Sequence, residues 1–223
     1  MNTIIYLMRH SEVLKPNRDT ANVNDEPLII NKTGPLSVRG EEMAKYYSTF
    51  EEFKNLDEIY CSEYARASCT AKYFADANGT LINVDERLGE RIHGFTNESK
   101  RRELKLPEGY EVKQIEDENL KFLDGESRKE VFTRYDECMK KILNDNQGKR
   151  ICVVSHGTAM MFYLMQWCEV KYKEYFKFND KIIFDGKWGY LETFKLEFDE
   201  NNNIVNIENI YHHKDFEKKI IEN

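Results

Sequence analysis

Residues 151–168 have the sequence ICVVSHGTAMMFYLMQWC, which contains no Asp, Glu, Lys or Arg. A run of this length reaches the lower limit for a membrane-spanning helix, about 17 residues. However, residues 155–158 (SHGT) form a polar cluster inside the run, and an isolated polar cluster is costly in lipid. We therefore predict a buried strand at residues 151–154 and a buried helix that begins near Thr158.

Strand and helix patterns alternate along the rest of the chain. Short apolar or β-prone runs predict further strands at residues 3–8 (TIIYLM), 58–61 (EIYC) and 81–84 (LINV). Helical periodicity predicts helices at residues 37–50, at residues 63–75 with Ser62 as the cap, and after a capping box formed by Ser127 and Glu130. Residues 190–198 and 204–210 are typical of a terminal hairpin.

This alternation predicts an α/β fold of one domain over residues 1–223. Right-handed crossovers between successive strands produce a mainly parallel sheet with helices on both faces. Residues 11–36 and 92–124 have no clear periodicity and are longer than ordinary connections, which is typical of lids and binding loops. We expect them to form the specificity segments.

Composition excludes several classes of function. The 223 residues carry a formal charge of −7, so neither a nucleic acid nor an anionic membrane is an expected partner. The five cysteines are scattered without a zinc-ligand pattern, which indicates reduced thiols and a cytoplasmic protein. The apolar run at residues 4–8 lacks a preceding basic region and is followed by Arg9, which argues against a signal peptide.

Polar residues follow each predicted strand where it ends. Ligands of open α/β sheets bind beyond the carboxyl ends of the strands. At those ends lie Arg9 and His10, then Ser62 with Arg66 one turn into its helix, then residues 85–91 (DERLGER), and finally residues 155–157 (SHG). Two histidines, two arginines and several carboxylates are therefore expected at one edge of the sheet.

This set suits phosphoryl transfer through a covalent intermediate. A neutral imidazole is a competent nucleophile when an acceptor fixes its tautomer, and guanidinium groups bind phosphate oxygens. A carboxylic acid can protonate the departing alkoxide, and the helix that begins at His156 and Gly157 directs its free N–H groups at an anion. The chemistry requires neither a metal ion nor another cofactor. Each residue alone has an ordinary structural interpretation, so the prediction depends on the whole set.

The same residues carry a resemblance to a known family. Residues 7–10 (LMRH) are similar to the Arg-His signature of the histidine phosphatase superfamily, which includes the phosphoglycerate-mutase-like phosphatases. Further segments resemble the motifs of that family in chain order: residues 36–40 (LSVRG), 62–71 (SEYARASCTA), 88–94 (LGERIHG), 125–127 (GES) with Arg134, and 153–157 (VVSHG).

The resemblance implies a three-layer α/β/α sandwich and a role for each central residue. By this likeness His10 is phosphorylated, and Arg9, Arg66 and His156 hold the phosphoryl group together with the helix end at Gly157. Glu90 is the implied proton donor, and the competing acids near the strand ends are Glu12, Asp85 and Glu86. The function so implied is a phosphatase acting on a small phosphorylated substrate.

The sequence departs from the family pattern beside His10. Ser11 stands where the family commonly has glycine, and residues 13–17 (VLKPN) lack the aromatic residue that mutases place before Asn. Conversely, residues 90–94 (ERIHG) followed by residues 100–102 (KRR) partly resemble the acid segment of the mutases. The candidate substrate contacts are Ser11, Asn17, His93 and Arg101.

Two alternatives stay open. A phosphomutase would use the same residues but return the phosphoryl group to its substrate. A non-catalytic module would use the same pocket only to bind a phosphorylated ligand, although such a module needs the cationic groups and not the acid.

Overall fold

A six-stranded sheet forms the centre of the computed structural model, which describes residues 1–15, 31–94 and 109–211. Its strands are β1 (Thr3–Arg9), β2 (Glu58–Cys61), β3 (Ile82–Val84), β4 (Arg150–Ser155), β8 (Thr193–Phe198) and β9 (Ile204–Tyr211). Their order across the sheet, in the described residues, is β3-β2-β4-β1-β8-β9.

The sheet is mainly parallel, as predicted. β1 and β2 pair in parallel with β4, and β3 pairs in parallel with β2. β8 is antiparallel to both β1 and β9, so it runs against the other strands of this sheet. The four predicted parallel strands and the terminal hairpin are therefore confirmed, although β8 begins at Thr193 instead of residue 190.

Five α-helices lie among the described residues: α1 (Val38–Tyr47), α2 (Ala65–Asn78), α3 (Tyr110–Glu116), α4 (Arg128–Asp145) and α5 (Gly157–Leu164). The predicted capping box at the start of α4 is present, because Ser127 and Glu130 bond to each other's backbone N–H groups. The prediction that Ser62 caps α2 is wrong. The N-cap of α2 is Tyr64, and the Ser62 hydroxyl bonds to His156 instead.

Alternate residues of the central strands face two separate layers of helices. In β1, Ile5 and Leu7 belong to the core cluster that includes residues of α4 and α5, whereas Tyr6 and Met8 belong to the cluster with α1 and α2. β4 alternates in the same way. Because both faces are covered, these strands are apolar at successive positions, over residues 4–8 of β1 and 151–154 of β4. The three-layer α/β/α architecture is thus confirmed.

A second, smaller sheet was not predicted from the sequence. It consists of β5 (Glu169–Lys171), β6 (Tyr175–Phe178) and β7 (Lys181–Phe184), which pair antiparallel. Aromatic contacts attach it to the central sheet, since the rings of Phe184 and Phe176 lie 5.3 Å and 6.3 Å from that of Phe194 in β8. This small sheet extends the wall of the site described below.

The two segments expected to be irregular are described only in part. Val13 forms a bridge with Leu36 across the first segment, and α3 lies within the second. The expectation of no regular structure is therefore wrong for α3. Its buried residues are Tyr110 and Gln114, so no aliphatic stripe marked it as a helix. Residues 16–30 and 95–108 lie outside the described residues.

None of the helices in the described residues combines the length and the apolar character needed to cross a membrane. The apolar run at residues 151–168 divides between β4, the eight residues of α5 and the turn that follows α5. The interpretation of that run as a buried strand and a buried helix is confirmed.

We expect Gly40→Ala to destabilise the fold by about 2 kcal/mol, because a side chain at this position overpacks the structure. A Cβ atom at Gly40 would collide with the Glu12 carbonyl oxygen. The helix-propensity gain of alanine, about 1 kcal/mol, is too small to offset this. Urea denaturation measures the change, and Glu42→Ala at an exposed position of α1 is the control, with a change of at most about 0.5 kcal/mol. Equal stability of the two variants would contradict the collision.

Candidate active site

The parallel pairing of β1 with β4 brings two histidines to the same edge of the sheet. Arg9 lies opposite Ser155 in the register, and the next residue of each chain segment is a histidine. The backbone N–H of His10 donates to the Ser155 carbonyl at 2.9 Å. The ring centroids of His10 and His156 are 5.2 Å apart. Both side chains are buried.

The hydrogen bonds of His10 define its tautomer. Nδ1 lies 2.7 Å from the Ser11 carbonyl oxygen, which can only accept, so the proton is on Nδ1. Nε2 therefore has a free electron pair, and Arg66 Nε donates to it at 3.1 Å. Burial lowers the pKa of His10 well below its ordinary value, and the charges of Arg9 and Arg66 lower it further. His10 is thus neutral at pH 7 and carries its nucleophilic nitrogen on the side of Arg66.

Two arginines lie beside this nitrogen without a carboxylate partner among the described residues. Arg66 is buried and donates to the backbone and side-chain oxygens of Asn31, at 2.5 and 3.2 Å. Arg9 donates from one terminal nitrogen to the carbonyls of Trp188 and Gly189, both at 3.1 Å. The Arg9 Nε atom is buried and has no hydrogen-bond partner within the described part of the chain. Burial lowers the pKa of both arginines, and the Glu90 carboxylate opposes this effect. Their charge and free N–H groups suit an anion.

His156 adds a second imidazole at the N-cap of α5. Its Nε2 atom is 2.7 Å from the Ser62 hydroxyl, whereas its buried Nδ1 atom has no partner in the described structure. Burial lowers the pKa of His156 well below its ordinary value, and the nearby His10 and Arg66 contribute further lowering. The N-terminus of α5 and this ring together form a second surface that can receive phosphate oxygens.

Glu90 joins the site through the N-terminus of α5. Its carboxylate accepts from the backbone N–H groups of Thr158 at 3.3 Å and Ala159 at 3.0 Å, and from that of Arg91 at 2.9 Å. Its charge also acts on both Arg9 and Arg66. The structure thus places the expected acid beside the expected phosphate-binding groups.

The competing acids are engaged elsewhere. A hydrogen bond from Arg87 holds the pKa of Asp85 below its ordinary value, and one from Ser37 does the same for Glu12. A lowered pKa favours the carboxylate form and disfavours proton donation. Glu86 is exposed at the start of a short 3-10 helix. Of the four candidates, Glu90 is the one whose carboxylate lies at the N-terminus of α5, near Arg9 and Arg66.

Arg134 of α4 fixes the segment that carries Glu90. Its guanidinium donates to the carbonyls of Arg87 at 2.7 Å, Gly89 at 2.9 Å and Glu90 at 3.2 Å. The same group pairs with Glu126 through two bonds of 2.7 and 2.9 Å. The sequence identified Arg134 only as part of a motif. Its contacts show that this motif positions the backbone around Glu90.

The sequence matches a known protein family over most of its length. A family model described as the histidine phosphatase superfamily (branch 1) matches residues 5–182. The chain belongs to the histidine phosphatase superfamily. Probable phosphoglycerate mutases GpmB from Enterobacter sp. (strain 638) and from Salmonella arizonae are each 28% identical to it over 166 residues, which is 70% of either chain.

Solved structures of this superfamily share the fold. The mycobacterial glucosyl-3-phosphoglycerate phosphatase Rv2419c has a TM-score of 0.67 at 16% identity, and covers 95% of this chain and 100% of its own. YhfR of Bacillus stearothermophilus has a TM-score of 0.64 at 19% identity, with coverages of 95% and 98%. An Entamoeba histolytica phosphoserine phosphatase mutant in complex with phosphoserine has a TM-score of 0.61 at 17% identity, with coverages of 95% and 98%.

The candidate substrate contacts have different surroundings in the structure. Ser11 is fully buried, and its hydroxyl donates to the Gly40 carbonyl at 2.7 Å, which gives it a structural role. His93 is exposed, with Nδ1 3.1 Å from Arg91. Asn17 and Arg101 lie outside the described residues. Direct contact of these four side chains with a substrate stays a prediction.

Several contacts of the candidate site left no recognisable mark in the sequence. Asn31, Trp188 and Gly189 bind the arginines through backbone carbonyls, which any residue type supplies. Ser62 did follow a predicted strand, but its hydroxyl suggested a helix cap instead of a histidine partner. Among the described residues, no group of three or more His, Cys, Asp or Glu side chains is arranged to hold a metal ion.

A cavity of about 380 Å³ adjoins the site. Its inner wall contains Arg9, Glu90 and Gly157, and its outer wall includes residues of the turns around the small sheet. The cavity therefore begins at the acid and leads away from the histidines.

We expect the free energy of unfolding to decrease as the pH falls from 7.5 to 5.5. Below about pH 6.5 the histidines of the unfolded chain bind protons, whereas His10 and His156 stay neutral in the fold because their pKa values are lowered. The unfolded state then binds more protons, which costs up to about 1.4 kcal/mol per pH unit for each histidine. Above about pH 7.5 both states are neutral at these positions, and the dependence disappears.

Urea denaturation at pH 5.5, 6.5 and 7.5 measures this dependence. The matched control is the double variant His10→Asn, His156→Gln, which retains every other titrating group. Its free energy of unfolding should change with pH with a smaller slope. The same slope in both proteins would show that the two buried histidines do not cause it.

Proposed function

We propose that this protein is a phosphatase that hydrolyses a small phosphomonoester through a phosphohistidine at His10. The observation that carries the proposal is the tautomer of His10. Its Nδ1 proton is bound by the Ser11 carbonyl, and its Nε2 electron pair lies against Arg66. A neutral, oriented imidazole beside unpaired cations is the arrangement that nucleophilic attack on a phosphate requires.

In the first step, Nε2 of His10 attacks phosphorus while Arg9, Arg66 and the N-terminus of α5 hold the phosphate oxygens. The N–H group of Arg66 moves from Nε2 to a phosphate oxygen and thereby frees the electron pair. The bond from phosphorus to the ester oxygen breaks, and its electrons go to the leaving oxygen. Glu90 protonates that oxygen, so the alcohol departs neutral.

In the second step, water attacks the phosphohistidine. Glu90, now a carboxylate, takes a proton from the water, and the bond between phosphorus and Nε2 breaks. The electron pair returns to His10, and inorganic phosphate leaves. His156 stabilises the charge on the equatorial oxygens in both steps.

A phosphomutase is the second candidate. The probable phosphoglycerate mutases among the relatives favour it, as does the likeness of residues 90–94 to the mutase acid segment. Residues 13–17 favour the phosphatase, because they lack the aromatic residue of the mutases. The placement of Glu90 argues against a non-catalytic module, since binding a phosphate needs no proton donor.

We further propose a cytoplasmic enzyme of one domain. Cys61, Cys138 and Cys152 are buried free thiols, and burial raises the pKa of Cys61 and of Cys138 to about 12. Such thiols are inert and persist in a reducing compartment.

We expect His10→Ala to reduce hydrolysis of a generic aryl phosphate by at least about 10³-fold, because no other group replaces the nucleophile. Protein quenched with acid after incubation with labelled ester should carry acid-labile, base-stable phosphate on His10. The matched control is His212→Ala, which removes a histidine without an assigned role. Turnover should continue in excess EDTA, since the positive charge comes from arginines. Near wild-type activity of His10→Ala would refute the mechanism.

The same assay separates the two enzymes. Phosphoglycerate supplied with its bisphosphate should yield inorganic phosphate in the phosphatase, and an isomeric phosphoglycerate without net release of phosphate in a mutase. The second result would assign the chain to the mutases while leaving the role of His10 intact.

We expect Glu90→Gln to affect an alkyl phosphate far more than an aryl phosphate. An alkoxide leaves poorly and depends on the general acid, which contributes about 10²–10⁴-fold, whereas a phenolate needs less help. Steady-state kcat values on both esters measure the difference, with Asp85→Asn and Glu86→Gln as matched controls. Equal losses on both esters would assign Glu90 to binding, and a leaving-group-dependent loss in a control would move the role to that residue.

A further inference from the structure

The cavity beside Glu90 lies where the leaving group of the substrate would be. Its inner wall is formed by Arg9, Glu90 and Gly157, and its outer wall includes Lys173 and Lys187. Since Glu90 is the proposed donor to the leaving oxygen, the cavity beyond it receives the part of the substrate that departs. Its volume of about 380 Å³ falls in the range of small-molecule pockets, about 300–1,000 Å³.

The backbone brings the two lysines to one rim of this cavity. Gly186 has a φ of +72°, and a Cβ atom there would lie 2.8 Å from the Glu174 nitrogen and 3.0 Å from the Lys173 carbonyl carbon. The turn after β5, which carries Lys173, therefore packs directly against the turn after β7, which carries Lys187. Only glycine permits this close approach.

Unlike Lys171 and Lys177 of the small sheet, these two lysines have no ion-pair partner among the described residues. Lys171 pairs with Glu174 at 2.7 Å, and Lys177 pairs with Asp180 at 3.2 Å. Of the charged residues on the outer wall, Lys173 and Lys187 are cationic and Glu111 of α3 is anionic. The outer wall thus has a surplus of one positive charge.

Trp188 forms a flat apolar wall between the phosphate site and the lysines. Its ring lies 3.7 Å from the position of a Cβ atom at Gly157, so it borders the N-terminus of α5. Contacts with Phe184 at 5.2 Å and Phe194 at 5.4 Å, between ring centroids, hold it in place. A leaving group that extends from Glu90 to the lysines passes along this ring.

We propose that the leaving group of the substrate carries a second anionic group, which Lys173 and Lys187 bind while the intervening part lies against Trp188. This inference rests on the proposed phosphatase activity. It assigns the substrate specificity of that activity to the turns that follow β5 and β7 of the small sheet. The two lysines recognise a carboxylate or a second phosphate, and they discriminate against neutral leaving groups of the same size.

The test compares 4-carboxyphenyl phosphate with 4-carbamoylphenyl phosphate, which differ in one negative charge. The variant is Lys173→Gln, Lys187→Gln, and the matched control is Lys171→Gln, which alters a lysine of the same sheet outside the cavity. The measured quantity is the kcat/KM for the 4-carboxyphenyl ester divided by the kcat/KM for the 4-carbamoylphenyl ester. Comparison of this ratio between proteins cancels the intrinsic difference in leaving ability.

We expect the ratio to be about tenfold larger in the wild type and in Lys171→Gln than in the double variant, and to decrease with added salt. An unchanged ratio in the double variant, with both esters still hydrolysed, would overturn the anionic subsite and leave the phosphatase intact. Failure of the wild type to hydrolyse either ester would instead count against the proposed function. A third ester, 1,4-phenylene bisphosphate, shows whether carboxylate or phosphate is the better anion.

Discussion

The register between β1 and β4 is the constraint on which the site depends. Both strands are buried on both faces, and Arg9 lies opposite Ser155. The residue after each of these positions is a histidine, so one alignment of backbones determines the distance between His10 and His156. A slip of one residue would turn every core side chain of a strand to the other layer, which the two helix layers prevent.

Burial then determines the protonation and the charge of the site. His10 and His156 are neutral because they are buried near Arg9 and Arg66. The arginines themselves have no carboxylate partner among the described residues, and unpaired buried charge is destabilising. In the proposed reaction a phosphoryl group supplies the missing anion, and a ligand that binds only the folded state also stabilises the fold. The features that prepare the site for substrate therefore make the empty site less stable.

The sequence predicted the strands that have a clear apolar pattern and the site residues that directly follow them. Apolar strands identified the sheet, and the residues at their ends identified His10, Arg66 and His156 as neighbours. It did not predict the small sheet, whose strands of three or four residues are too short for a clear alternation. It also missed α3, whose buried face contains Gln114, and the backbone carbonyls that hold Arg9, which leave no mark in the residue types.

Arg134 gives the Glu90 segment a support that the two histidines do not share. His10 and His156 follow β1 and β4 of the central sheet, whereas the carbonyls of residues 87, 89 and 90 accept hydrogen bonds from one guanidinium on α4. Further bonds tie this segment to the sheet and to α5, since the Ser155 hydroxyl donates to the Leu88 carbonyl and the Thr158 and Ala159 N–H groups donate to the Glu90 carboxylate. The position of Glu90 relative to the histidines therefore depends on how α4 packs against the sheet as well as on the pairing of β1 with β4.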